Sequence, residues 1–479
     1  MLPQNINPKK VFEFFEQLSA IPRGSGNMDA VALFCENFAK EHKLKYIRDN
    51  ANNVVIYKDG SEGYQNSRPI ILQGHLDMVC QKTPECNIDF EKDGLQLYVD
   101  GDFLKARGTT LGADNGIAVA MILAILESND ISHPPIEAVF TTNEEVGMIG
   151  ALALDKSVLN GNQMINLDSE TEDLVTVSCA GGSDFKAIIP AETIKRQGTK
   201  ITLSIKGLRG GHSGVEINKQ RVNADILAGR ILNHLQKNIG FDIISVSGGD
   251  KPNAIPNSFT AELCVADCDA FCKTAQDYIE IVKNEISDRE KDFATKVTVC
   301  DSGEFNVFSN DIKNKIIYTL LCVPNGVCEM SATIDGLVET SLNLGILQSD
   351  SNKVVLHFAL RSNKRTSLAF LEEKLATFFA NQDIPYETFG HYPPWEYREN
   401  SPLRDLYCDA YFKKNNKHPR IKAIHAGLEC GVFAGGIDDF DCISIGPEMY
   451  DVHTVRERLS ISSTENLYNL LIDVLKKLK

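Results

Sequence analysis

The chain has 479 residues, which at about 150 residues per domain predicts two to four domains. Hydrophobic residues make up 43% and charged residues 24% of the sequence, which is the composition of an ordinary globular protein. The 65 acidic residues outnumber the 49 lysines and arginines, and the formal net charge of -16 argues against nucleic acid or a membrane surface as the main partner. No apolar run approaches the roughly 18–20 residues that a membrane-spanning helix needs.

The thirteen cysteines are scattered along the chain and include no CxxC pair. The closest set, Cys264, Cys268 and Cys272, has no nearby histidine, so it is more typical of a strand followed by a helix than of a zinc site. Cysteines without a disulfide-like framework are typical of reducing compartments. We therefore expect reduced thiols and a cytoplasmic location.

The first elements in chain order are two helices. Val11, Phe15 and Leu18 recur at helical spacing, and Pro22 ends this segment, while a second helical pattern covers residues 30–42. Beyond it, short apolar strands alternate with helical segments, with strands at 53–57, 69–72, 137–141 and 163–167 and an apolar helix at 117–126. This alternation predicts an α/β sheet that is covered by helices on both faces.

The pattern changes near residue 185, where a unit of one strand followed by one helix begins to recur. The strands are predicted at 200–205, 258–265 and 354–360, and the helices that follow them at 222–235, 271–286 and 367–380. We expect residues 186–390 to form an inserted α+β domain, and residues 1–185 and 391–479 to form one α/β domain with a mixed central sheet. A strand at 442–445 and a last helix that opens with a capping box, Ser462 to Glu465, complete that domain.

The first candidate for chemistry is the pair His75 and Asp77, which follows an apolar strand pattern. Two residues apart in an extended segment, their side chains point to the same side. A carboxylate that accepts a hydrogen bond from a ligand imidazole fixes its tautomer and makes it a better metal donor. Such H-x-D pairs are common in proteins without a metal, so the pair is at first only a candidate.

Acidic residues stand at the ends of further strands. Glu144 and Glu145 follow the strand at 137–141, where two unpaired charges are unfavourable unless cations compensate them. Asp168 ends the next strand, although a carboxylate there is also typical of a turn. Asp114 precedes the apolar helix within GADNG, at residues 112–116, and is alternatively its N-cap.

One late histidine completes the set: His453, on the loop after the predicted strand at 442–445. Together, two imidazoles and three carboxylates suit two divalent ions, with Zn²⁺ favoured and Mn²⁺ or Co²⁺ as alternatives. These five residues are His75, Asp114, Glu145, Asp168 and His453.

In these motifs the sequence resembles the metallopeptidases with two co-catalytic zinc ions, and within them the aminoacyl-histidine dipeptidases. The resemblance runs nearly end to end, from IPRGSGN at residues 21–27 to His453. The segment HAGLECG, at residues 425–431, resembles this subgroup more than its relatives.

The resemblance implies a role for each of these positions. Asp114 would bridge both ions, with His75 and Asp168 completing one site, and Glu145 and His453 the other. Asp77 would orient His75, and Glu144 would be the general base. In the inserted domain, the resemblance implies substrate binding by His212, Asn253 and Arg361. Gly210-Gly211 beside His212 is equally typical of a turn, and Arg361 of a charge at a strand end.

The expected function is hydrolysis of short peptides, and the resemblance to this subgroup implies Xaa-His dipeptides such as β-alanyl-histidine. A tripeptidase or an N-acyl amino acid amidohydrolase are alternatives on the same scaffold, and a non-catalytic protein that binds peptide or metal is a more remote one. We expect the inserted domain to act as a lid that closes over the metals. The resemblance suggests a homodimer through that domain. However, an insertion of about 200 residues is long enough for two α+β halves that contact each other, which is also compatible with a monomer.

Overall fold

The computed structural model describes residues 2–3 and 6–479 and divides the chain into two compact units. Unit 1 consists of Met1–Cys179, Tyr397–Ala423 and Leu428–Lys479, and unit 2 of Ala180–Glu396 and Ile424–Gly427. The predicted insertion, 186–390, lies inside unit 2. The unit is wider because a strand that starts at Gly181 belongs to its sheet.

The described residues contain eleven α-helices. They are α1 (Lys9–Ser19), α2 (Asp29–Glu41), α3 (Ala113–Glu127), α4 (Ile149–Ala153), α5 (Ala224–Asn238), α6 (Cys268–Ile286), α7 (Asn310–Cys322), α8 (Arg365–Ala380), α9 (Pro402–Asn415), α10 (Glu429–Ala434) and α11 (Ile461–Leu475). Helices α5 to α8 belong to unit 2 and the others to unit 1.

The same residues contain 23 strands. They are β1 (Lys45–Arg48), β2 (Val54–Lys58), β3 (Ile70–His75), β4 (Leu97–Asp100), β5 (Phe103–Ala106), β6 (Ile136–Thr141), β7 (Gln163–Asn166), β8 (Leu174–Cys179), β9 (Gly181–Pro190), β10 (Thr193–Lys206), β11 (Gly211–His212), β12 (Asp242–Gly248), β13 (Ala254–Ile255), β14 (Phe259–Val265), β15 (Ala294–Phe308), β16 (Gly326–Met330), β17 (Val338–Ser349), β18 (Lys353–Ser362), β19 (Tyr386–Tyr392), β20 (Arg420–Ile424), β21 (Asp441–Ser444), β22 (Met449–Tyr450) and β23 (Arg458–Ser460).

Unit 1 is built on an eight-stranded mixed sheet with the order β1-β2-β6-β3-β7-β21-β8-β20. Strands β6, β3, β7 and β21 are parallel to one another, while β2 and β8 pair antiparallel to the two outer members of this group. Strand β21 comes from the C-terminal segment of the chain and lies between β7 and β8. The expected α/β class with a mixed central sheet is confirmed, and the carboxyl ends of four strands meet at one edge of this sheet.

Helix α3 is the central helix of unit 1. Every residue from Ile117 to Leu126 is buried, and the helix packs against α1 and β3. A helix that is apolar on all sides is stable only inside a core. Its N-terminal turn carries Asp114, so the position of that carboxylate is set by a large buried element.

Unit 2 is built on an antiparallel sheet with the order β15-β10-β14-β12-β17-β18-β9-β19, and β16 pairs with β17 as the ninth strand. Helices α5 to α8 share one apolar core with it, which includes Leu203, Ile231, Phe271, Phe358 and Leu375. The helices predicted after residue 185 are present as α5, α6 and α8. Strand β15 was not predictable from an apolar run because it is an edge strand whose residues are exposed or half-buried along most of its length.

The predicted N-terminus of the last helix is wrong by two residues. Ser460, not Ser462, is the N-cap of α11, and its Oγ accepts a hydrogen bond from the backbone N–H of Ser463. The reason is that Ser460 is the last residue of β23, so the strand leads directly into the cap of the helix without a loop.

Among the described residues, no helix is long and apolar enough to cross a membrane. All thirteen cysteines are free thiols. Cys264 lies in β14, whereas Cys268 and Cys272 lie in α6, so this set has the strand-and-helix placement that was expected.

One buried acid opposes the stability of unit 2. Asp225, in the first turn of α5, is 0% exposed, and neither carboxylate oxygen has a hydrogen-bond partner among the described residues. A Cβ on Gly248 would lie 1.7 Å from its Oδ1, so only glycine leaves room for the carboxyl group there. Burial raises the pKa of Asp225 well above its usual value.

We expect the Asp225→Ala variant to gain stability over the wild type as the pH rises. Because the folded state binds the proton more tightly than the unfolded chain, Asp225 reduces the free energy of unfolding progressively above the unfolded pKa of about 3.9. Removing an unpaired buried polar group is worth about 1–3 kcal/mol. Urea unfolding midpoints at pH 5 and pH 8 measure the difference, with exposed Asp250→Ala as the control. An Asp225→Ala effect that is equal at both pH values would contradict the expectation.

Candidate active site

The candidate site lies at the carboxyl edge of the unit 1 sheet. His75 is the last residue of β3, Glu144 and Glu145 follow β6, and Asp168 follows β7. These three strands are parallel, so their ends bring the side chains to one place. The N-terminal turn of α3 adds Asp114. The loop after β22 then adds His453.

Two groups of donor atoms share Asp114. In one group, His75 Nε2 lies 3.3 Å from Asp114 Oδ1 and 3.5 Å from Asp168 Oδ1. In the other, His453 Nε2 lies 3.0 Å from Asp114 Oδ2 and 2.9 Å from Glu145 Oε1. The two oxygens of one carboxylate therefore face two different sets of donors.

These donors fit divalent cations. Within each of the groups His75/Asp114/Asp168 and Asp114/Glu145/His453, the ligand atoms lie within 4.8 Å of one another. A third group of the same kind, His75/Glu144/Glu145, overlaps both. Imidazole and carboxylate donors suit Zn²⁺, Mn²⁺ or Co²⁺. The residues that the sequence singled out are thus placed as two metal sites with one common ligand would require.

The protonation of these groups reflects the crowded charges. Hydrogen bonds to Asp114 and Glu145 raise the pKa of His453 to about 11. Burial opposes the ionised form of Asp114, but hydrogen bonds from His453 and His75 lower the pKa of that carboxyl overall. Burial raises the pKa of Asp168 to about 6, with Asp114 and Glu145 adding repulsion against the attraction of His75. The carboxylates of this cluster therefore repel one another, and a bound cation would reduce that repulsion.

Glu144 is an acid that lies next to these donors. Its Oε2 lies 4.0 Å from His75 Nε2. Burial raises the pKa of Glu144 well above its usual value, and repulsion from Asp168 and Glu429 acts in the same direction against the attraction of His75. A carboxyl group with a raised pKa is a stronger base once ionised, which suits a general base.

Asp77 is buried and holds two parts of the site at once. Its Oδ1 lies 3.5 Å from His75 Nδ1, and its backbone oxygen lies 3.1 Å from the same ring nitrogen. Its two carboxylate oxygens also accept the backbone N–H groups of Glu144, at 3.0 Å, and Glu145, at 3.2 Å. Ser25 Oγ donates a further hydrogen bond at 2.8 Å. Asp77 therefore fixes the acidic loop as well as the imidazole, a second role that the H-x-D pattern did not reveal.

The loop that carries Asp114 is held by a residue that sequence reasoning missed, Glu457. Its carboxylate is 3% exposed and accepts backbone N–H groups from four consecutive residues, Leu111 (2.7 Å), Gly112 (3.0 Å), Ala113 (2.8 Å) and Asp114 (3.4 Å). Glu457 follows His453 by four residues, so one segment of chain supplies a donor atom and the support of another.

Arg23 holds the same loop from its carbonyl side. The guanidinium is 2% exposed and donates to the backbone oxygens of Leu76, Asp77 and Gly112. It thus connects the segment after β3 to the loop before α3. Its only sequence signal was its place in the motif at residues 21–27, which implied no role.

The predicted substrate-binding residues His212, Asn253 and Arg361 lie in unit 2. His212 Nδ1 accepts hydrogen bonds from the backbone N–H groups of Gly214, at 3.0 Å, and Val215, at 3.2 Å. The ring proton of the neutral imidazole is therefore on Nε2. Burial and the nearby Arg361 lower the pKa of His212, so the ring is a neutral donor.

The loop around His212 is fixed by an ion pair. Glu216 accepts the backbone N–H of His212 at 3.0 Å, and Arg221 Nη2 lies 2.8 Å from Glu216 Oε1. Arg221 also donates to the backbone oxygen of Gly210. The Gly210-Gly211 pair is thus part of a braced loop that orients the imidazole.

Arg361 and Asn253 line one pocket of unit 2 with a volume of about 390 Å³. Arg361 Nη1 donates to Tyr392 Oη at 2.8 Å. The loop that carries Asn253 is held by Asn343 Nδ2, which donates to the backbone oxygens of Pro252 and Ala254. A guanidinium beside amide and hydroxyl groups is suited to binding a carboxylate.

Comparison with known proteins identifies relatives across the whole chain. A sequence model described as peptidase family M20/M25/M40 matches residues 71–477. A protein of Escherichia coli (strain K12) named cytosol non-specific dipeptidase is 35% identical over 477 residues, covering 99% of this chain and 98% of that protein.

Solved structures give the same result for the fold. The crystal structure of aminoacylhistidine dipeptidase from Vibrio alginolyticus is 33% identical and superposes with a TM-score of 0.92, covering 99% of this chain and 98% of that one. Aminopeptidase PepT from Bacillus cereus ATCC 10987 has a TM-score of 0.58 at 13% identity and shares the fold alone.

We expect the Glu457→Gln variant to bind zinc about 10–100-fold more weakly than the wild type, the usual effect of losing a group that supports a ligand. An amide has one acceptor oxygen where the carboxylate has two, so part of the four N–H groups would lose their partner. Competition with a chromophoric chelator measures the affinity.

The matched control is Glu399→Gln, an exposed glutamate in the same unit. Equal zinc affinity of Glu457→Gln and the wild type would show that Asp114 keeps its position without the carboxylate. A urea midpoint measured in parallel distinguishes a local loss of metal affinity from a general loss of stability.

Proposed function

This chain belongs to peptidase family M20/M25/M40, and we propose that it hydrolyses dipeptides in a metal-dependent reaction, Xaa-His dipeptides such as β-alanyl-histidine among them. The full-length match to a relative named as a dipeptidase is the observation that carries this proposal. The two donor groups that share Asp114, with Glu144 beside them, support the metal dependence.

Each donor group would hold one ion. His75, Asp168 and Asp114 would hold the first, and Glu145, His453 and Asp114 the second. When bound, divalent ions supply Lewis acidity, which lowers the pKa of water from 15.7 to about 7 and polarises a carbonyl group. We propose Zn²⁺ as the native metal, while Co²⁺ and Mn²⁺ accept the same donors.

Glu144 moves the proton in the proposed reaction. It accepts a proton from the attacking water, whose oxygen forms a bond to the scissile carbonyl carbon. It then donates that proton to the leaving amine as the C–N bond breaks. The bonds from Asp77 to the backbone of Glu144 and Glu145 keep the carboxylate in place during both transfers.

His212 stabilises the oxyanion that develops on the former carbonyl oxygen. Its Nε2–H is the available donor because Nδ1 is occupied by two backbone N–H groups. A neutral, braced imidazole needs no reorganisation when the charge appears, which is the property that makes such donors effective.

Arg361, with Asn253, binds the C-terminal carboxylate of the substrate. A free α-amine would be recognised at the metal centre. A site that reads both termini accepts only very short peptides, which favours dipeptides over longer chains.

Location and assembly are part of the proposal. Free thiols and a relative named for the cytosol support a cytoplasmic enzyme. The lid role of unit 2 and a homodimer through it stay predictions. A locked-open crosslinked form with unchanged turnover would exclude the lid role.

The first test is hydrolysis of a substrate panel by the zinc-loaded protein: β-alanyl-histidine, alanyl-histidine, alanyl-alanine, a tripeptide and an N-acetyl amino acid. We expect cleavage of the dipeptides, no activity after EDTA treatment, and a kcat for Glu144→Gln lower by about 10²–10⁴. Release of the free amino acids is measured by chromatography.

The panel also separates the alternatives. Turnover of the acetylated substrate alone would make the protein an amidohydrolase, and a preference for the tripeptide would make it a tripeptidase. Zinc binding without any cleavage would favour a binding protein.

We expect His212→Ala to lower kcat by about 10²–10³, the usual effect of removing one oxyanion donor. The thermal midpoint should hardly change, because the hydrogen bonds of the ring to described residues lie within its own loop. Val215→Ala, an exposed neighbour in that loop, is the matched control. An unchanged kcat for His212→Ala would exclude this role.

A further inference from the structure

The face of the unit 2 sheet that lies opposite its apolar core is organised around Arg361. In the pairing of β18 with β9, Arg361 lies opposite Gly182 and Ala359 opposite Asp184. Directly paired residues point to the same side of a sheet, and so do residues two apart on one strand. These four residues therefore share one face, while Phe358, which alternates with them, points into the core.

Glycine and alanine make this part of the face a hollow. A Cβ on Gly182 would lie 2.5 Å from Tyr392 Oη, so glycine there lets the tyrosine hydroxyl reach Arg361. The side chain of Ala359 is a single methyl group. On this face of β18, Ala359 lies between Arg361 and His357. Ala359 and Arg361 both line the pocket, so the hollow continues from the guanidinium along the strand.

Asp184 lies at the other end of the hollow and is held rigidly. Its Oδ1 is 2.8 Å from His357 Nε2, and His357 lies two residues before Ala359 on the same face. A Cβ on Gly390 would lie 2.9 Å from Asp184 Oδ2, so the irregular part of β19 passes close to the carboxylate. Oδ2 has no hydrogen-bond partner among the residues that the structure describes. The pocket thus has a fixed hydrogen-bond acceptor in Asp184. This residue lies two positions, about 7 Å, along β9 from Gly182, which pairs with Arg361.

The charges around the hollow restrict what it can hold. Lys251 and Arg361 line the same pocket as Asp184. A cationic side chain would be repelled by the first two, and an acidic one by Asp184. A neutral ring with an N–H donor satisfies the acceptor without either repulsion.

We propose that this pocket receives the side chain of the C-terminal residue of the dipeptide, and that Asp184 selects histidine by accepting a hydrogen bond from its imidazole N–H. The inference rests on the proposed function, because it places the C-terminal carboxylate on Arg361. From that carboxylate, the side chain of a histidine runs over Ala359 and its ring reaches Asp184. Alanine at the same position leaves the carboxylate unused.

The experiment compares alanyl-histidine with alanyl-alanine in wild type and Asp184→Ala. We expect kcat/KM for alanyl-histidine to fall about tenfold or more in the variant, mainly through KM, because a hydrogen bond to a charged group is lost. The value for alanyl-alanine should stay within about twofold. Glu387→Ala, which removes an exposed acid from the neighbouring strand β19, is the matched control.

A second variant tests the hollow without altering charge. Ala359→Leu fills the floor of the pocket, so it should lower kcat/KM for alanyl-histidine more than for alanyl-glycine. Equal losses for both substrates, or an unchanged preference for histidine in Asp184→Ala, would overturn the inference.

Binding measurements separate this inference from the proposed function. In the Glu144→Gln background, calorimetry with zinc-loaded protein should show tighter binding of alanyl-histidine than of alanyl-alanine, and adding Asp184→Ala should remove the difference. If the wild type hydrolyses no dipeptide but this preference and its loss are observed, the proposed function fails and the pocket stands. If the preference persists without Asp184, or neither peptide binds, the pocket assignment is wrong.

Discussion

Repulsion between carboxylates at one sheet edge is the constraint on which the rest of unit 1 depends. Asp114, Glu144, Glu145 and Asp168 meet there because three parallel strands end and one buried helix begins at the same place. Burial makes each ionised group more costly, and the imidazole of His453 compensates only part of the charge. Cations that bind the folded chain and not the unfolded one would therefore add directly to the stability of this unit.

Three side chains support the site through hydrogen bonds to main-chain atoms. Asp77 holds the backbone of the acidic loop, Glu457 holds four consecutive N–H groups before Asp114, and Arg23 holds carbonyl oxygens on both sides. Because these hydrogen bonds involve the backbone, they fix the main-chain positions of the candidate donor residues and leave their side chains free to turn toward ligands. A preorganised electrostatic site requires such a rigid backbone.

The acids at strand ends could be predicted from the sequence, because each follows an apolar run that ends abruptly. It could not reveal Glu457 or Arg23, whose partners are backbone atoms more than fifty residues away and leave no mark in residue types. Asp184 needed the register of β9 against β18, which depends on turns and bulges rather than on composition. Strand β17 was missed although it is buried, because its serine, asparagine and glycine residues interrupt the apolar pattern.

The position of β21 has a consequence for biosynthesis. This strand is inserted between β7 and β8, yet it is translated only after the whole of residues 180–396. While the ribosome makes that stretch, β7 lacks its neighbour β21, β8 lacks both β21 and β20, and His453 and Glu457 have not yet been made. Unit 2, whose sheet is nearly continuous in the chain, can fold first. The edge of the sheet that carries the candidate metal donors is therefore completed only when the last part of the chain has been translated.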